Sequence, residues 1–411
     1  MIIGIDGHNL EGRRTGVGRY LINLLKEWAK FDLPQGLKFT LYFKKEIPDD
    51  LLNLSGSDPS GSDPDRFKKK ILKAPFGWQS NALFTHYLLP RAAKKDKAEI
   101  LFCPGYIAPL FYQEKIALAL HDIIYEARPE LYNWPSFLDK ILLRKVSKIS
   151  ARKAAVIFTC SEFSQKEILK YYQVSPDKVF VIPLAADECF YSQTGSLSSR
   201  IKEKYQIKDK FIFYIGSIFN RRHLPEIIQA FGNLTSKLPD YQFLIIGVNH
   251  TSPFTPRLSR IKKILRRAQS LKGAGFIDID GLISQVNQNL NRQVILRKDY
   301  SSEEDLTFLY SAADLLIWLS DYEGFGLPIL EAMASAVPVI TNPAASIPEV
   351  AGEAAIYVQD PKNIDEISQA IYRGLTDEQM RQDLIKRGLE QAQKFSWPRC
   401  AEKTLRALLD S

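Results

Sequence analysis

The sequence predicts an α/β protein made of two parallel-sheet domains, and three observations lead there. The chain has 411 residues, too long for a single core of ordinary size. Short β-rich apolar runs alternate along it with segments of helical period, the pattern of parallel sheets covered by helices on both faces. The alternation pauses at the polar stretch Ser192 to Ser199 and then starts afresh, which marks a boundary between domains.

In the first half, strands are expected at Ile2 to Asp6, Lys38 to Phe43, Ile100 to Cys103, Ile116 to His121, Val156 to Cys160 and Val179 to Ile182. Gly16 to Phe31 reads as a helix because Val17, Tyr20, Leu21, Leu24 and Leu25 share one face. Further helices are expected at Ala82 to Ala93, Phe137 to Lys153 and Phe163 to Tyr172, and Ser55 to Pro64 reads as a polar surface loop. In the second half the strands are Phe211 to Ile215, Phe243 to Gly247, Gln293 to Leu296, Leu315 to Leu319, Pro338 to Thr341 and Ala355 to Val358. Thr251 to Asn291 is longer than a normal connection and reads as an insertion, helical at Arg257 to Lys272.

Composition narrows the function classes. With 45% hydrophobic and 25% charged residues, disorder, collagen-like repeats and disulfide scaffolds are excluded. The 55 Lys and Arg against 47 Asp and Glu leave a formal charge of +8, concentrated in the first half. Patches at Lys68-Lys69-Lys70, at Arg91 with Lys94, Lys95 and Lys97, and at Arg144-Lys145 with Lys148, Arg152 and Lys153 read as solvated faces or as contacts for an anionic membrane. Interleaved aromatics and a reading motif are missing, so nucleic acid is not expected as a partner. The four cysteines form no C-x-x-C pair, which suggests neither a zinc site nor a disulfide framework and fits a reducing, cytoplasmic setting. Met1 to Asp6 reads as a buried strand rather than a leader, and the longest apolar runs are too short to span a bilayer.

Parallel sheets bind ligands at the carboxyl ends of their strands, so the loops leaving each strand carry the functional signal. After Asp6 come Gly12, Gly16 and Gly18 at a helix start whose amides can face an anion, without the spacing of a dinucleotide fingerprint. His121-Asp122 closes another strand. Gly216 to His223 brings Arg221 and Arg222 to a helix start, where two planar guanidinium forks suit a diphosphate or form an exposed basic turn. Ser320 to Met333 holds two carboxylates: Glu323 lies in a glycine-containing loop and Glu331 about one turn inside a helix that starts near Leu327. Both can point into one pocket and grip vicinal hydroxyls. Asp278-Ile279-Asp280 invites a metal reading, but it falls in the insertion rather than after a core strand, and no metal is expected.

Together these residues resemble the family 4 retaining glycosyltransferases of GT-B fold, two Rossmann-like domains facing across a cleft. The motifs are YEGFGLPILEAMASAVPVI at Tyr322 to Ile340, SIPEVAGEAAIYVQDP at Ser346 to Pro361 and FSW at Phe395 to Trp397. TGVGRY at Thr15 to Tyr20, SEFSQKEI at Ser161 to Ile168, VIPLAAD at Val181 to Asp187 and YIGSIFNRRHL at Tyr214 to Leu224 support them. The resemblance implies an acceptor-binding domain over 1–190, a nucleotide-sugar-binding domain over 191–395, and a closing helix over 396–411 that returns to the first domain. It implies that Glu331 binds ribose hydroxyls, that Glu323 with the backbone of Gly324, Phe325, Gly326 and Leu327 holds the transferred sugar, and that Arg221 and Arg222 hold the diphosphate. Gly16 would cradle that diphosphate, His121 would lie near the donor sugar, and backbone near Leu296 and Arg297 would touch the base. Catalytic work then falls to His121, Glu323, Arg221 and Arg222. The chain departs from the family at Arg222, where Lys is usual, at His223, where Asn is common, and at Ala336, where glycine is common.

The activity expected from the resemblance is metal-independent, retaining transfer of a hexose to a glycan or lipid-linked acceptor in bacterial surface-polysaccharide assembly. GDP-mannose is favoured over UDP-sugars as donor. A sugar-nucleotide epimerase or phosphorylase of the same fold, or a silent scaffold, are the competing readings. No cofactor is expected, and the setting is the cytoplasm, with the inner face of the plasma membrane as an option.

Overall fold

The computed structural model describes residues 1–52, 54, 66–74, 80–132, 134, 137–191, 199–251 and 277–411. The expected loop from Ser55 to Pro64 and the helix expected over Arg257 to Lys272 lie outside the described residues. The chain divides into two compact units. One comprises 1–126, 138–184 and 396–411, the other 127–137 and 185–395.

The first unit holds seven strands: β1 (Ile2–Asp6), β2 (Lys38–Phe43), β3 (Phe67–Ile71), β4 (Ile100–Cys103), β5 (Lys115–Ala119), β6 (Val156–Thr159) and β7 (Val179–Val181), ordered β3-β2-β1-β4-β5-β6-β7. The second holds β8 (Lys210–Ile215), β9 (Tyr241–Ile246), β10 (Ile295–Lys298), β11 (Leu315–Ile317), β12 (Val339–Thr341) and β13 (Ile356–Tyr357), ordered β10-β9-β8-β11-β12-β13. The strand pairs are parallel. Their centres are runs of fully buried residues such as Ile3, Ile5, Phe213, Leu244 and Leu316, as expected for sheets covered on both faces. Each sheet therefore reverses its winding beside its own first strand, at β1/β4 and at β8/β11, the two positions where doubly wound sheets open a crevice.

Several basic residues of the first half have internal partners, and one expected helix needs correction. Lys68 to Lys70 lie on β3, an edge strand, where Lys68 is exposed, Lys70 pairs with Asp96 and Lys69 donates to the carbonyls of Leu52 and Leu54 at 3.2 and 3.0 Å. Lysines suit an edge because they oppose pairing with another chain. In the patch from Arg144 to Lys153, Arg144 forks onto Glu126 at 2.6 and 3.1 Å, and Arg152 and Lys153 donate to backbone carbonyls, Lys153 to that of Leu110. The expected Ala82 to Ala93 helix is a composite of Asn81–Leu83, a wider π turn over Phe84–Leu88, and an α-helix over Leu89–Lys95. Pro90 has no N–H for the carbonyl one turn back, and the ladder widens just ahead of it.

The helix Trp397–Leu409 lies in the first unit and buries Trp397, Cys400, Ala401, Thr404, Leu405 and Leu408, the spacing of one helical face. The Trp28 indole donates to the Ala401 carbonyl at 2.9 Å in the buried seam with the Gly16–Lys30 helix. Among the described residues, no helix is long and apolar enough to cross a membrane.

Candidate active site

In the second unit the loops leaving β8 and β11 meet at the switch point, and local backbone chemistry brings them together. Gly216 follows β8 with φ +127°, where a Cβ would sit 2.6 Å from the Trp318 ring and 2.8 Å from Arg222 Nη1. Only glycine leaves room there for the arginine to lie against the indole. Asn220–Arg222 then makes one 3-10 turn, and His223 enters the Leu224–Leu234 helix with φ +48°. That left-handed geometry favours Asn, Asp and His, a physical reason for the alternation of His and Asn at this position. His223 Nε2 meets Asp321 Oδ1 at 2.8 Å, and the Asp321 N–H donates to the Arg221 carbonyl at 2.9 Å, so the two loops are tied twice.

Arg222 occupies the centre. Its Nε donates to Glu323 Oε1 at 3.1 Å, its Nη1 donates to the Ser217 carbonyl at 2.7 Å, and its guanidinium lies 4.2 Å over the Trp318 ring. The paired side chains are only 10% and 13% exposed. Burial opposes the charge of Arg222, but Glu323 and Tyr214 outweigh it and raise its pKa. Ser320 Oγ donates to the same Glu323 oxygen at 2.9 Å. Behind it, Asn342 accepts from Ser320 N at 2.7 Å and donates to Ser320 O at 3.0 Å. Ser346 Oγ bonds the carbonyls of Glu323 and Phe325 at 2.8 and 3.1 Å. The carboxylate is thus held by a polar frame built from three neighbouring strand ends.

The other expected residues occupy distinct positions. Arg221 turns its guanidinium 4.2 Å over Phe219, which stacks on His250 at 5.2 Å; Arg222 lies 5.6 Å from the same Phe219 ring, so the twin arginines share that ring while Arg222 alone pairs with Glu323. Gly326, with φ +111°, caps the Leu327–Ala334 helix, and Glu331 on that helix is 2% exposed, its Oε2 accepting from Tyr310 Oη at 2.7 Å. Phe325 packs edge-on against Phe395 at 5.6 Å, and Gly324 precedes it in the loop. Leu296 and Arg297 lie on β10 at the sheet edge; Arg297 pairs with Asp280 at 2.9 Å and Asp299 at 2.5 Å. Asp278 caps a helix by accepting from Gly281 N at 2.9 Å, so both acids of the D-x-D sequence have structural partners.

Gly16 and His121 belong to the first unit. Gly16 opens its helix with no heavy atom within 4 Å of where a Cβ would stand, leaving the backbone accessible. His121 sits just beyond β5, edge-on to Tyr20 at 4.6 Å. Its two ring nitrogens are buried and lack a hydrogen-bond partner among the described residues, and burial pushes its pKa down to about 4. Sequence reading missed Ser320, Asn342, Ser346, Trp318 and Tyr310. Trp318 and Ser320 had a usable signal, since they directly follow a core strand.

The site offers a buried cation paired with one carboxylate and glycine-rich backbone at the carboxyl ends of the central strands β8 and β11, with a second buried carboxylate on the following helix, a set able to hold an anion beside a polyol. Residues 14–188 match the family description Glycosyltransferase Family 4, and residues 198–391 match Glycosyl transferases group 1. The O-antigen chain mannosyltransferase B of Escherichia coli is 29% identical over 96% of this chain and 95% of its own. The serotype-specific mannosyltransferase WbdA of Escherichia coli is 26% identical over 70% of this chain and 32% of its own length. Anabaena Alr3699/HepE, solved with UDP and glucose, superposes with a TM-score of 0.67 at 15% identity, covering 100% of this chain and 99% of that one. Both halves and the fold agree: the chain belongs to the family 4 glycosyltransferases of GT-B fold.

Proposed function

We propose that the protein transfers mannose from GDP-mannose to a glycan acceptor, free or lipid-linked, in the assembly of a bacterial surface polysaccharide, with retention of anomeric configuration and without a metal. The observation that carries this reading is the Arg222–Glu323 pair in its polar frame, with Glu331 on the following helix. The mannosyltransferase relatives favour the sugar, and the one that matches nearly end to end acts on an O-antigen chain. A UDP-sugar is the second reading, favoured by the UDP complex of the structural neighbour.

Departure of a nucleoside diphosphate leaves positive charge on the sugar ring and negative charge on phosphate. Arg222, held buried before the donor arrives, meets that negative charge without reorganising, and Arg221 adds a second fork. Glu331 accepts from ribose hydroxyls while Tyr310 fixes its carboxylate, and Glu323 with the Gly324–Leu327 backbone holds the mannose. The same reading assigns Gly16 to the diphosphate, His121 to the donor sugar and the backbone at Leu296 and Arg297 to the base. The arginines supply the charge a metal would bring, so EDTA is expected to leave the rate unchanged, and rescue by Mg²⁺ or Mn²⁺ after strong EDTA inhibition contradicts this. Association with an anionic membrane rests on the basic first half, and flotation with anionic liposomes at low salt tests it; failure to float removes it.

A thermal-shift panel of GDP, UDP, dTDP and ADP sugars tests the donor, because a ligand at 100 times its Kd stabilises by about 2.7 kcal/mol. GDP-mannose is expected to give the largest shift and Glu331→Ala to abolish it. No shift with any GDP-sugar overturns the assignment.

A further inference from the structure

Arg222 is held by a ring as well as by a carboxylate. Trp318 directly follows β11 and Gly216 directly follows β8, two strands that pair side by side. The Trp318 indole is 1% exposed, stacks on Tyr214 with centroids 5.6 Å apart and planes 25° from parallel, and carries the Arg222 guanidinium 4.2 Å over its face. Its N–H is buried and without a hydrogen-bond partner among the described residues. An orphaned donor costs stability that a phenyl ring in the same place would not, so what the indole contributes is its face, the strongest cation–π surface among the aromatic side chains.

The contact matches the shape of arginine. With its face on the ring, the guanidinium keeps its N–H groups in its own plane, where Nε meets Glu323 and Nη1 meets the Ser217 carbonyl. Two in-plane bonds and one stacked face leave the group a single orientation. A lysine ammonium is a compact, strongly hydrated charge. It has no flat face to stack, one nitrogen for two acceptors, and a larger cost of desolvation at a position that is 8% exposed. Gly216 completes the seat, because a side chain there would collide with both ring and guanidinium.

We propose that Trp318 is a positioning residue of the transfer reaction: its indole and Gly216 form a seat that takes an arginine and rejects a lysine, and so fix the guanidinium that meets the leaving diphosphate. The inference rests on the transferase reading above and deepens it.

Calorimetric titration of the wild type and variants with GDP, UDP and pyrophosphate tests it. Arg222→Lys keeps the charge and is expected to weaken diphosphate binding about tenfold, and Trp318→Leu by about the same factor. With the ring gone the seat no longer tells the two cations apart, so the double variant is expected to bind about as weakly as either single one, a coupling of about tenfold. Trp318→Phe keeps a smaller face and is expected to lose about threefold. The cycle on Trp318→Phe decides the matter if the leucine variant does not fold. A tryptophan that only fills the core would lower Tm without distinguishing arginine from lysine. Binding by Arg222→Lys within about twofold of the wild type, or losses that simply add, overturn the proposal. A wild type that binds UDP or pyrophosphate but not GDP refutes the GDP-mannose donor alone, and the cycle is then read on the ligand that binds. A wild type that binds none of the three overturns both.

Discussion

Replacing Arg222 by methionine removes a charge while keeping most of the side chain's bulk. The structure assigns three interactions to the guanidinium: Glu323 at 3.1 Å, the Ser217 carbonyl at 2.7 Å, and the Trp318 face at 4.2 Å. Since the two paired side chains are 10% and 13% exposed, solvent can repair little of what is lost. Glu323 keeps only the Ser320 hydroxyl on that oxygen, and breaking a buried pair from one side costs about 3–5 kcal/mol. For a unit of about 200 residues that corresponds to a fall in Tm of roughly 6–20 °C. Glu323→Gln alone leaves the Arg222 charge without its carboxylate but with the Ser217 carbonyl and the Trp318 face, and is expected to cost less, and the double variant less than the sum, with a coupling of about 1.5–3 kcal/mol. Chemical denaturation followed by tryptophan fluorescence reads all four proteins. The coupling is also expected to resist 0.5 M salt, because the pair is buried. A destabilisation below about 0.5 kcal/mol, or strict additivity, refutes the reasoning.

Ala336 adopts φ +59° at an exposed position just before β12, which explains glycine there in the family this sequence resembles. Ala336→Gly is expected to stabilise by about 0.5–1 kcal/mol, relief of left-handed strain less the entropy of glycine, seen as a Tm rise of roughly 1–4 °C; a lower Tm contradicts it. Gly216→Ala is expected to push Arg222 off Trp318 and to reduce donor affinity at least tenfold by calorimetry, since its Cβ would meet both at under 3 Å; unchanged affinity rejects the crowding argument. With His121 at about 4 in the folded protein and 6.5 unfolded, its contribution is complete above pH 6.5 and is lost as pH falls from 6.5 toward 4, about 3 kcal/mol in all. His121→Phe is expected to flatten the stability profile across that window relative to the wild type, and parallel profiles would rule out a depressed pKa.

The strands were legible because parallel sheets buried on both faces require continuous apolar runs, and Ile2 to Asp6 or Phe211 to Ile215 have no other use. β3 was not, because its FKKKI sequence belongs to an edge, where pairing with β2 overrides a composition that reads as loop. At the site, the carboxylates were legible from their spacing to GFGLP. The frame around them was not, since Ser320, Asn342 and Ser346 are single small polar residues whose meaning arises only when β11 and β12 stand side by side. Arg221 and Arg222 look equivalent in the sequence. On a 3-10 turn successive side chains point a third of a turn apart, so Arg222 reaches Glu323 and the Trp318 face while Arg221 lies closer over Phe219.

A crystal structure of the protein with GDP-mannose bound tests the central claim most directly. The account predicts the diphosphate on Arg222 and Arg221, ribose hydroxyls on Glu331, and mannose against Glu323 and the Gly324–Leu327 backbone. A nucleotide bound away from the β8 and β11 loops, with Arg221, Arg222 and Glu331 untouched, would contradict it.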